Sequence, residues 1–283
     1  MGDSSAHAYD TTTFQLTDRF CLDDSATIIG DNDYFVLIGQ ANGKLKCYSK
    51  LQLQRGNCQP VDVEIGDKAI LTMITVGDII WIGCSHELVI LSAENEIVIK
   101  RRVQVCESPD NVYAMTVSHN TNMVWCITHS SHGITSWDLH TTELKQSVDL
   151  SEQLIWICCE LNFDPSSARM VSIECISDTL WVGLSCGVIM ILSDAEHPEK
   201  ITHFKAHKQA TDCLLKIPQN DVLHQQHDYP MILSGGFGEV SSLSSKASEQ
   251  NGVVMLWQAC TANEFSTIAK RHANVIETTC KVL

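Results

Sequence analysis

A hairpin of two apolar strands recurs along this chain at near-regular intervals, and this repeat restricts the possible folds more than any other feature. In its clearest copy, an apolar run with Trp181 leads into a glycine-containing turn over 183–187 and a second apolar run over 188–192. The centres of five such hairpins are spaced by 44, 44, 56 and 52 residues, at Leu37, Trp81, Trp125, Trp181 and Leu233. A period in the forties is typical of the four-stranded blade of a β-propeller. The sequence therefore predicts an all-β protein with five recognisable four-stranded blades.

The outer strands of the predicted blades can be located from their patterns. A mainly apolar segment precedes four of the hairpins, at 69–76, 112–117, 169–176 and 211–217. An alternating, more charged segment follows four of them, at 96–103, 142–148, 200–204 and 265–270, because the last strand of a blade is half exposed to water. An insertion at 151–167 contains an apolar run at 154–158 that predicts an extra strand. Residues 239–251 form a serine-rich loop too polar to pack.

The two ends of the chain flank these repeats. Residues 1–24 are expected to form a tail with one strand at 12–17, residues 25–272 the propeller repeats, and residues 273–283 a tail or a closing strand. Such propellers usually carry seven blades, and open sheet edges promote aggregation. Two interpretations stay open. Either the terminal segments complete further sheets, or the chain is the C-terminal piece of a larger protein whose ring has seven blades; we favour the second.

Charge and cysteine content narrow the classes of function. The formal net charge of −15 argues against nucleic-acid binding, which depends on clustered Lys and Arg. No secretory signal is recognisable, and no apolar run approaches the roughly 18 residues of a membrane helix. The 13 cysteines are therefore expected to be reduced thiols of a cytoplasmic protein. Six of them lie in or beside apolar runs and are predicted to belong to the core: Cys47, Cys84, Cys126, Cys175, Cys186 and Cys213.

No pattern of catalytic or metal-binding residues stands out. The adjacent Cys158 and Cys159 lack the second ligand pair that a zinc site needs. Four histidines with ligand-like spacing fall in predicted turns and are expected to be solvated, namely His129, His132, His224 and His227. The glycine-rich run at 234–238 is not followed by the helix that a nucleophile elbow requires. We therefore expect no cofactor, no metal and no catalytic site.

The repeated hairpin, together with two dipeptides, resembles degenerate WD40 repeats. Trp137-Asp138 matches the Trp-Asp end of the third strand of such a blade, and Ala206-His207 stands where Gly-His is usual. The hairpins are similar to those in the C-terminal propellers of leucine-rich-repeat Roco kinases, and also of Rho guanine-nucleotide exchange factors and JNK-interacting scaffolds. The resemblance implies structural repeat positions at Gly39, Trp81, Gly83, Trp125, Trp137, Asp138, Trp181, Gly183, His207, Gly235 and Trp257. It also implies that His207 bonds a turn aspartate, for which Asp221 is the candidate.

The repeat, the acidic charge and the lack of catalytic motifs predict a non-catalytic platform that binds other proteins or peptide segments. The resemblance implies that this platform belongs to a larger signalling protein, Roco kinase-like or Rho exchange factor-like, and mediates self-association or regulates an upstream domain. Two alternatives stay open: a propeller-based enzyme with its site in the central channel, and a membrane-trafficking scaffold. Phosphorylation of the serine-rich loop 239–251 is open as well, beside the simpler interpretation of a flexible insertion.

Overall fold

The computed structural model describes residues 4–55, 59–94, 96–130, 132–176, 179–192, 201–217, 231–238 and 251–258. The chain divides into two compact units, residues 1–114 and 115–283. The boundary falls within the strand Val112–Ser118. Each unit is built from antiparallel sheets whose strands follow one another in chain order.

The first unit contains a strand pair and two four-stranded sheets. Its strand pair consists of β1 (Ser5–Tyr9) and β2 (Leu16–Cys21). The first four-stranded sheet contains β3 (Ala26–Asp31), β4 (Phe35–Gln40), β5 (Lys44–Ser49) and β6 (Val61–Glu64), with the short helix α1 (Lys50–Gln54) after β5. The second contains β7 (Ile70–Val76), β8 (Ile79–Cys84), β9 (Glu87–Ala93) and β10 (Ile97–Gln104).

The second unit continues the series. The third sheet contains β11 (Val112–Ser118), β12 (Met123–Thr128), β13 (Gly133–Asp138) and β14 (Leu144–Asp149). Helix α2 (Ser151–Glu160) and a 3-10 turn at Pro165–Ser167 lead to the fourth sheet, β15 (Met170–Ile176), β16 (Thr179–Leu184), β17 (Val188–Leu192) and β18 (Ile201–Lys205). The fifth contains β19 (Cys213–Ile217), β20 (Met231–Gly238) and β21 (Asn251–Gln258).

The five predicted hairpins are confirmed, and the first four lie at the centre of four-stranded sheets, whereas in the fifth sheet β21 is the last described strand. In the fourth sheet, for example, Trp181 pairs with Ile191 and Val182 with Met190, and every residue of β17 is buried. Continuous apolarity suits these strands because neighbouring strands and sheets cover both of their faces. Four sheets have the predicted four strands, whereas the fourth strand expected in the fifth sheet, at 265–270, lies outside the described residues. This succession is the blade arrangement of a β-propeller.

A backbone carbonyl in the turn of each of the first four hairpins fixes the chain just after the fourth strand of the same sheet. The carbonyl of Gly43 accepts from the N–H of Ile65, His86 from Val105, His132 from Leu150 and Gly187 from Ala206, at N–O distances of 2.9 to 3.0 Å. Gly43 and Gly187 adopt φ of 80° and 78°, a conformation that glycine reaches without steric cost. These two glycines thus help to close the first and fourth blades.

The insertion after the third sheet differs from the prediction. Residues 154–158 belong to the helix α2 and form no extra strand. Leu154, Ile157 and Cys158 recur at a spacing of three and four residues, so they share one face of a helix and are buried together. Glu152 in the first turn also favours the helix, because a carboxylate there offsets the helix dipole.

The N-terminal segment also differs from the prediction. The single strand expected at 12–17 is replaced by a turn between β1 and β2, so residues 5–9 are a strand and not part of a flexible tail. Asp10 causes the turn, since its carboxylate accepts from the backbone N–H groups of Thr12 and Thr13 at 3.0 and 2.6 Å. The division of the chain at residues 24 and 272 stays a prediction.

Five of the six cysteines predicted to be in the core are buried, and Cys213 is exposed. Cys213 is the first residue of β19, an edge strand of its sheet, where one side of the strand has no neighbour within that sheet. Burial raises the pKa of the Cys47 thiol to about 12 and that of Cys126 to about 11, so both are held as neutral thiols. These buried cysteines act as small apolar side chains.

Candidate protein-interaction surface

The predicted repeat positions with tryptophan or glycine lie inside the sheets. Trp81, Trp125, Trp137 and Trp181 are all buried. Gly39, Gly83, Gly183 and Gly235 occupy the second strand of their sheets. A Cβ atom at Gly83 would lie 2.9 Å from Val112 Cγ1, and one at Gly183 would lie 2.6 Å from the Thr211 carbonyl oxygen, so glycine allows the following chain segment to approach closely. These positions build the fold and form no common binding surface.

Asp138 stabilises the turn after β13. Its carboxylate accepts from the backbone N–H groups of Thr141 and His140 at 2.8 and 3.0 Å. These bonds, first of all the one from Thr141, hold the pKa of the Asp138 carboxyl below its usual value. The Trp-Asp dipeptide of this blade therefore combines a core residue with a turn residue.

His207 belongs to a buried hydrogen-bond network that links β20 and β21 to the segment after β18. Its Nε2 lies 2.8 Å from Ser234 Oγ, and Trp257 Nε1 donates to the same oxygen at 2.7 Å. Burial, followed by the charge of Lys205, lowers the pKa of His207, so the imidazole is neutral. The aspartate predicted to bond this histidine, Asp221, lies outside the described residues.

The sequence did not reveal a half-buried carboxylate that joins the edge strands of the third, fourth and fifth sheets. Thr116 Oγ1 in β11 donates to Glu174 Oε1 in β15 at 3.0 Å, and the backbone N–H groups of Cys175 and Lys216 also donate to the Glu174 carboxylate. Burial outweighs these bonds and raises the pKa of Glu174. The carboxylate oxygens are thus engaged in joining strands, which makes the cluster structural. An acidic residue inside an otherwise apolar strand was the signal in the sequence.

Helix α2 presents a partly apolar face to solvent. Glu152, Ile155, Trp156, Cys159 and Glu160 are exposed, and we call these five residues the α2 face. Trp156 is 58% exposed and Ile155 48% exposed, which is unusual for two adjacent large apolar side chains. The first four residues follow the i, i+3, i+4, i+7 pattern of one side of a helix. The sequence contained this pattern, but the apolar run 154–158 obscured it.

The α2 face is held in a fixed position on the fourth sheet. The indole ring of Trp156 contacts the His203 ring of β18 edge to face, with centroids 5.0 Å apart, and Glu160 Oε2 lies 3.3 Å from His203 Nε2. On the opposite side of the helix, Leu154, Ile157 and Cys158 are buried. Because one side of α2 is buried and Trp156 and Glu160 also contact His203, the exposed side chains are presented by a rigid element. Such a surface binds a partner with little loss of conformational entropy.

The part of the chain that the structure describes contains no group of three or more His, Cys, Asp and Glu side chains arranged to hold a metal ion. His129 is exposed and His132 is half-buried, whereas His224 and His227 lie outside the described ranges. No helix among the described residues is long and apolar enough to cross a membrane.

Comparisons with known proteins give one family and several similar folds. The family model described as the LRRK2 beta propeller matches residues 21–257. A computationally designed protein, Ika8, superposes with a TM-score of 0.57 at 14% sequence identity, covering 92% of this chain and 80% of its own. The WD40 domain of Neurospora crassa Pan2 also gives a TM-score of 0.57 at 14% identity, covering 90% of this chain and 66% of its own. No curated protein matches the sequence.

Proposed function

Because this chain belongs to the LRRK2 beta-propeller family, we propose that it is a non-catalytic protein-interaction domain whose binding surface includes the α2 face. WD40-type propellers generally bind proteins and are generally non-catalytic. The observation that carries the proposal is the exposure of Ile155 and Trp156 on a rigid helix inserted between two blades. Tryptophan is enriched among the residues that dominate binding energy at protein interfaces.

We also propose a wider setting for the domain. We place the domain in a larger, Roco kinase-like signalling protein of the cytoplasm, where it brings a partner to the catalytic domains. The family match supports this setting, and the ten described cysteines, none of which forms a disulfide, fit a reducing compartment. In this arrangement the propeller contributes binding while the reaction takes place elsewhere in the protein.

Site-specific photocrosslinking tests the proposal. A photoreactive amino acid is placed at Ile155 and, as a control, at Leu51 on helix α1, which is 57% exposed and equally apolar. We expect protein adducts in cells from position 155 and few from position 51. Adding the Trp156→Ala substitution should remove the adducts from position 155. Equal adduct formation at the two positions, or adducts that persist without Trp156, would contradict a binding surface on α2.

A further inference from the structure

We propose that the partner segment that covers the α2 face is a basic amphipathic helix. The inference rests on the proposed function and adds the chemistry of the partner. Ile155, Trp156 and Cys159 form an apolar stripe along one side of α2, with Glu152 before it and Glu160 at its end. A stripe of this kind is the shape against which another helix packs, with its own apolar residues at three- and four-residue intervals.

The charges around the stripe select a basic partner. Glu152 and Glu160 are eight residues apart, so they lie about 12 Å from each other along the helix. The side chain of Glu160 is 53% exposed despite its contact with His203, and its carboxylate can pair with a cation of the partner. Helix α2 contains no Lys or Arg. The first cation after it, Arg169, donates to the carbonyls of Ser166 and Ala168.

An acidic segment would therefore meet two like charges at the rim of the stripe, and like charges placed together suppress a wrong partner. A partner with Lys or Arg seven or eight residues apart would instead place one cation opposite each glutamate. The net charge of −15 for the whole chain would also speed the approach of a basic segment.

The backbone of α2 favours a partner that binds as a helix over one that binds as an extended segment. A strand binds by adding main-chain hydrogen bonds to an exposed sheet edge. Along the stripe, helix α2 uses its backbone groups internally, and the carbonyls of Cys158 and Cys159 accept from Phe163 and Asn162 N–H at 2.8 and 3.3 Å. Side chains therefore make the contacts along the stripe, which suits the packing of two helices.

Selection from a displayed library tests this chemistry. The library presents helices with apolar residues at i, i+3, i+4 and i+7 and with the flanking positions free to be Lys, Arg, Glu, Gln or Ser. The target is the 283-residue chain. We expect the selected helices to carry Lys or Arg seven or eight residues apart. The charge-reversed target with Glu152→Lys and Glu160→Lys should select acidic flanks instead.

Single substitutions then assign the contacts. Trp156→Ala should weaken binding of a selected peptide about 30-fold, the equivalent of about 2 kcal/mol at an interface hot spot. Glu152→Gln and Glu160→Gln should each weaken it about two- to fivefold, as exposed ion pairs do. Leu51→Ala, the control on α1, should leave the dissociation constant unchanged. Circular dichroism melting of every variant verifies that the fold is retained.

Three outcomes would overturn the inference. Selected helices without a basic preference, or the same helices selected by both targets, would exclude recognition by the two glutamates. No selection at all would exclude a helical partner, while photocrosslinks from position 155 would still support the proposed function. If sedimentation velocity gave a dimer that Trp156→Ala dissociates, a second copy of the chain would be the occupant of the α2 face.

Discussion

The hairpin β16–β17 and the helix α2 both contain a tryptophan in a short apolar run, yet the two tryptophans have opposite environments. Trp181 in Leu-Trp-Val-Gly is 1% exposed, whereas Trp156 in Leu-Ile-Trp-Ile is 58% exposed. The indole N–H of Trp181 donates to Thr179 Oγ1 at 3.1 Å inside the sheet. Trp156 instead rests on His203 with most of its ring in water.

The difference shows that the position of a run within the architecture decides burial, more than its composition does. A central strand has a strand on each side and packing on both faces, so every residue of an apolar run finds cover. A helix on the surface covers one side only, and an apolar run four residues long must place at least one member outside. The repeat thus uses its tryptophan for stability, while the insertion leaves its tryptophan available for contact.

Replacing the two tryptophans should give the largest contrast. Trp181→Ala removes a fully buried ring that also contacts Phe204 edge to face at 6.3 Å, and we expect it to lower the free energy of unfolding by about 3–5 kcal/mol. Trp156→Ala should cost about 1 kcal/mol, because only its contact with His203 is lost. Denaturant titration followed by circular dichroism measures both. Equal losses would mean that α2 is as much a part of the core as the hairpin.

Alanine substitutions at two glycines with left-handed backbone conformations, Gly77 and Gly187, should separate the stability cost of a steric clash from that of backbone strain. A Cβ at Gly187 would collide with the carbonyl oxygens of His207 and Gln209, whereas one at Gly77 would meet nothing within 4 Å. Gly77→Ala should therefore cost about 1–2 kcal/mol for its φ of 60° alone. Gly187→Ala should cost about 1–3 kcal/mol more, because the blade must open at the hairpin turn. Thermal melting of the two variants measures this difference. If Gly187→Ala had the same melting temperature as Gly77→Ala, the close contact at Gly187 would be refuted.

The hydrogen-bond network at His207 should make the stability of the protein depend on pH. His207→Gln should cost about 1–2 kcal/mol at pH 8, since the buried bond to Ser234 is weakened. Burial lowers the folded pKa of His207 below the unfolded value of about 6.5, so the unfolded chain binds a proton more readily. The stabilisation is thus present above that pH and is lost as pH falls. The difference in unfolding free energy between wild type and His207→Gln should therefore become smaller from pH 8 to pH 5. A difference that stays constant over this range would indicate an exposed imidazole.

Glu174 should show the opposite pH dependence with a smaller effect. Burial raises its folded pKa, so its contribution to stability is present below the unfolded pKa of about 4.3 and is lost as pH rises through the folded value. Glu174→Gln keeps an acceptor for Cys175 N–H and carries no charge. The variant should therefore gain in melting temperature relative to wild type between pH 4 and pH 7. A fall in the melting temperature of the variant relative to wild type over that pH range would mean that the folded protein favours the ionised carboxylate.

The strands could be predicted from the sequence because the repeat confines them. Five copies of the hairpin give five independent readings of one pattern, and all five predicted centres lie in the second strand of their sheets. The helix α2 occurs once, so no second copy corrected the strand-like run 154–158. The Asp10 turn and the Glu174 cluster depend on hydrogen bonds, and the latter joins residues 58 positions apart, which no local pattern records.

The adjacent cysteines of α2 provide the mildest test of the comparison, because labelling them should leave the fold intact. Cys158 is buried, and this burial raises its pKa to about 11, whereas Cys159 is exposed on the α2 face. A rise in pKa from the ordinary thiol value of 9.0 to about 11 leaves Cys158 with roughly 100-fold less of the reactive thiolate at pH 8. N-ethylmaleimide at pH 8 should therefore modify Cys159 first, as peptide mass spectrometry can show, and a bound partner helix should slow that modification. Rapid labelling of both cysteines would mean that α2 detaches from the fourth sheet in solution, which would remove the rigid surface on which the proposed interaction depends.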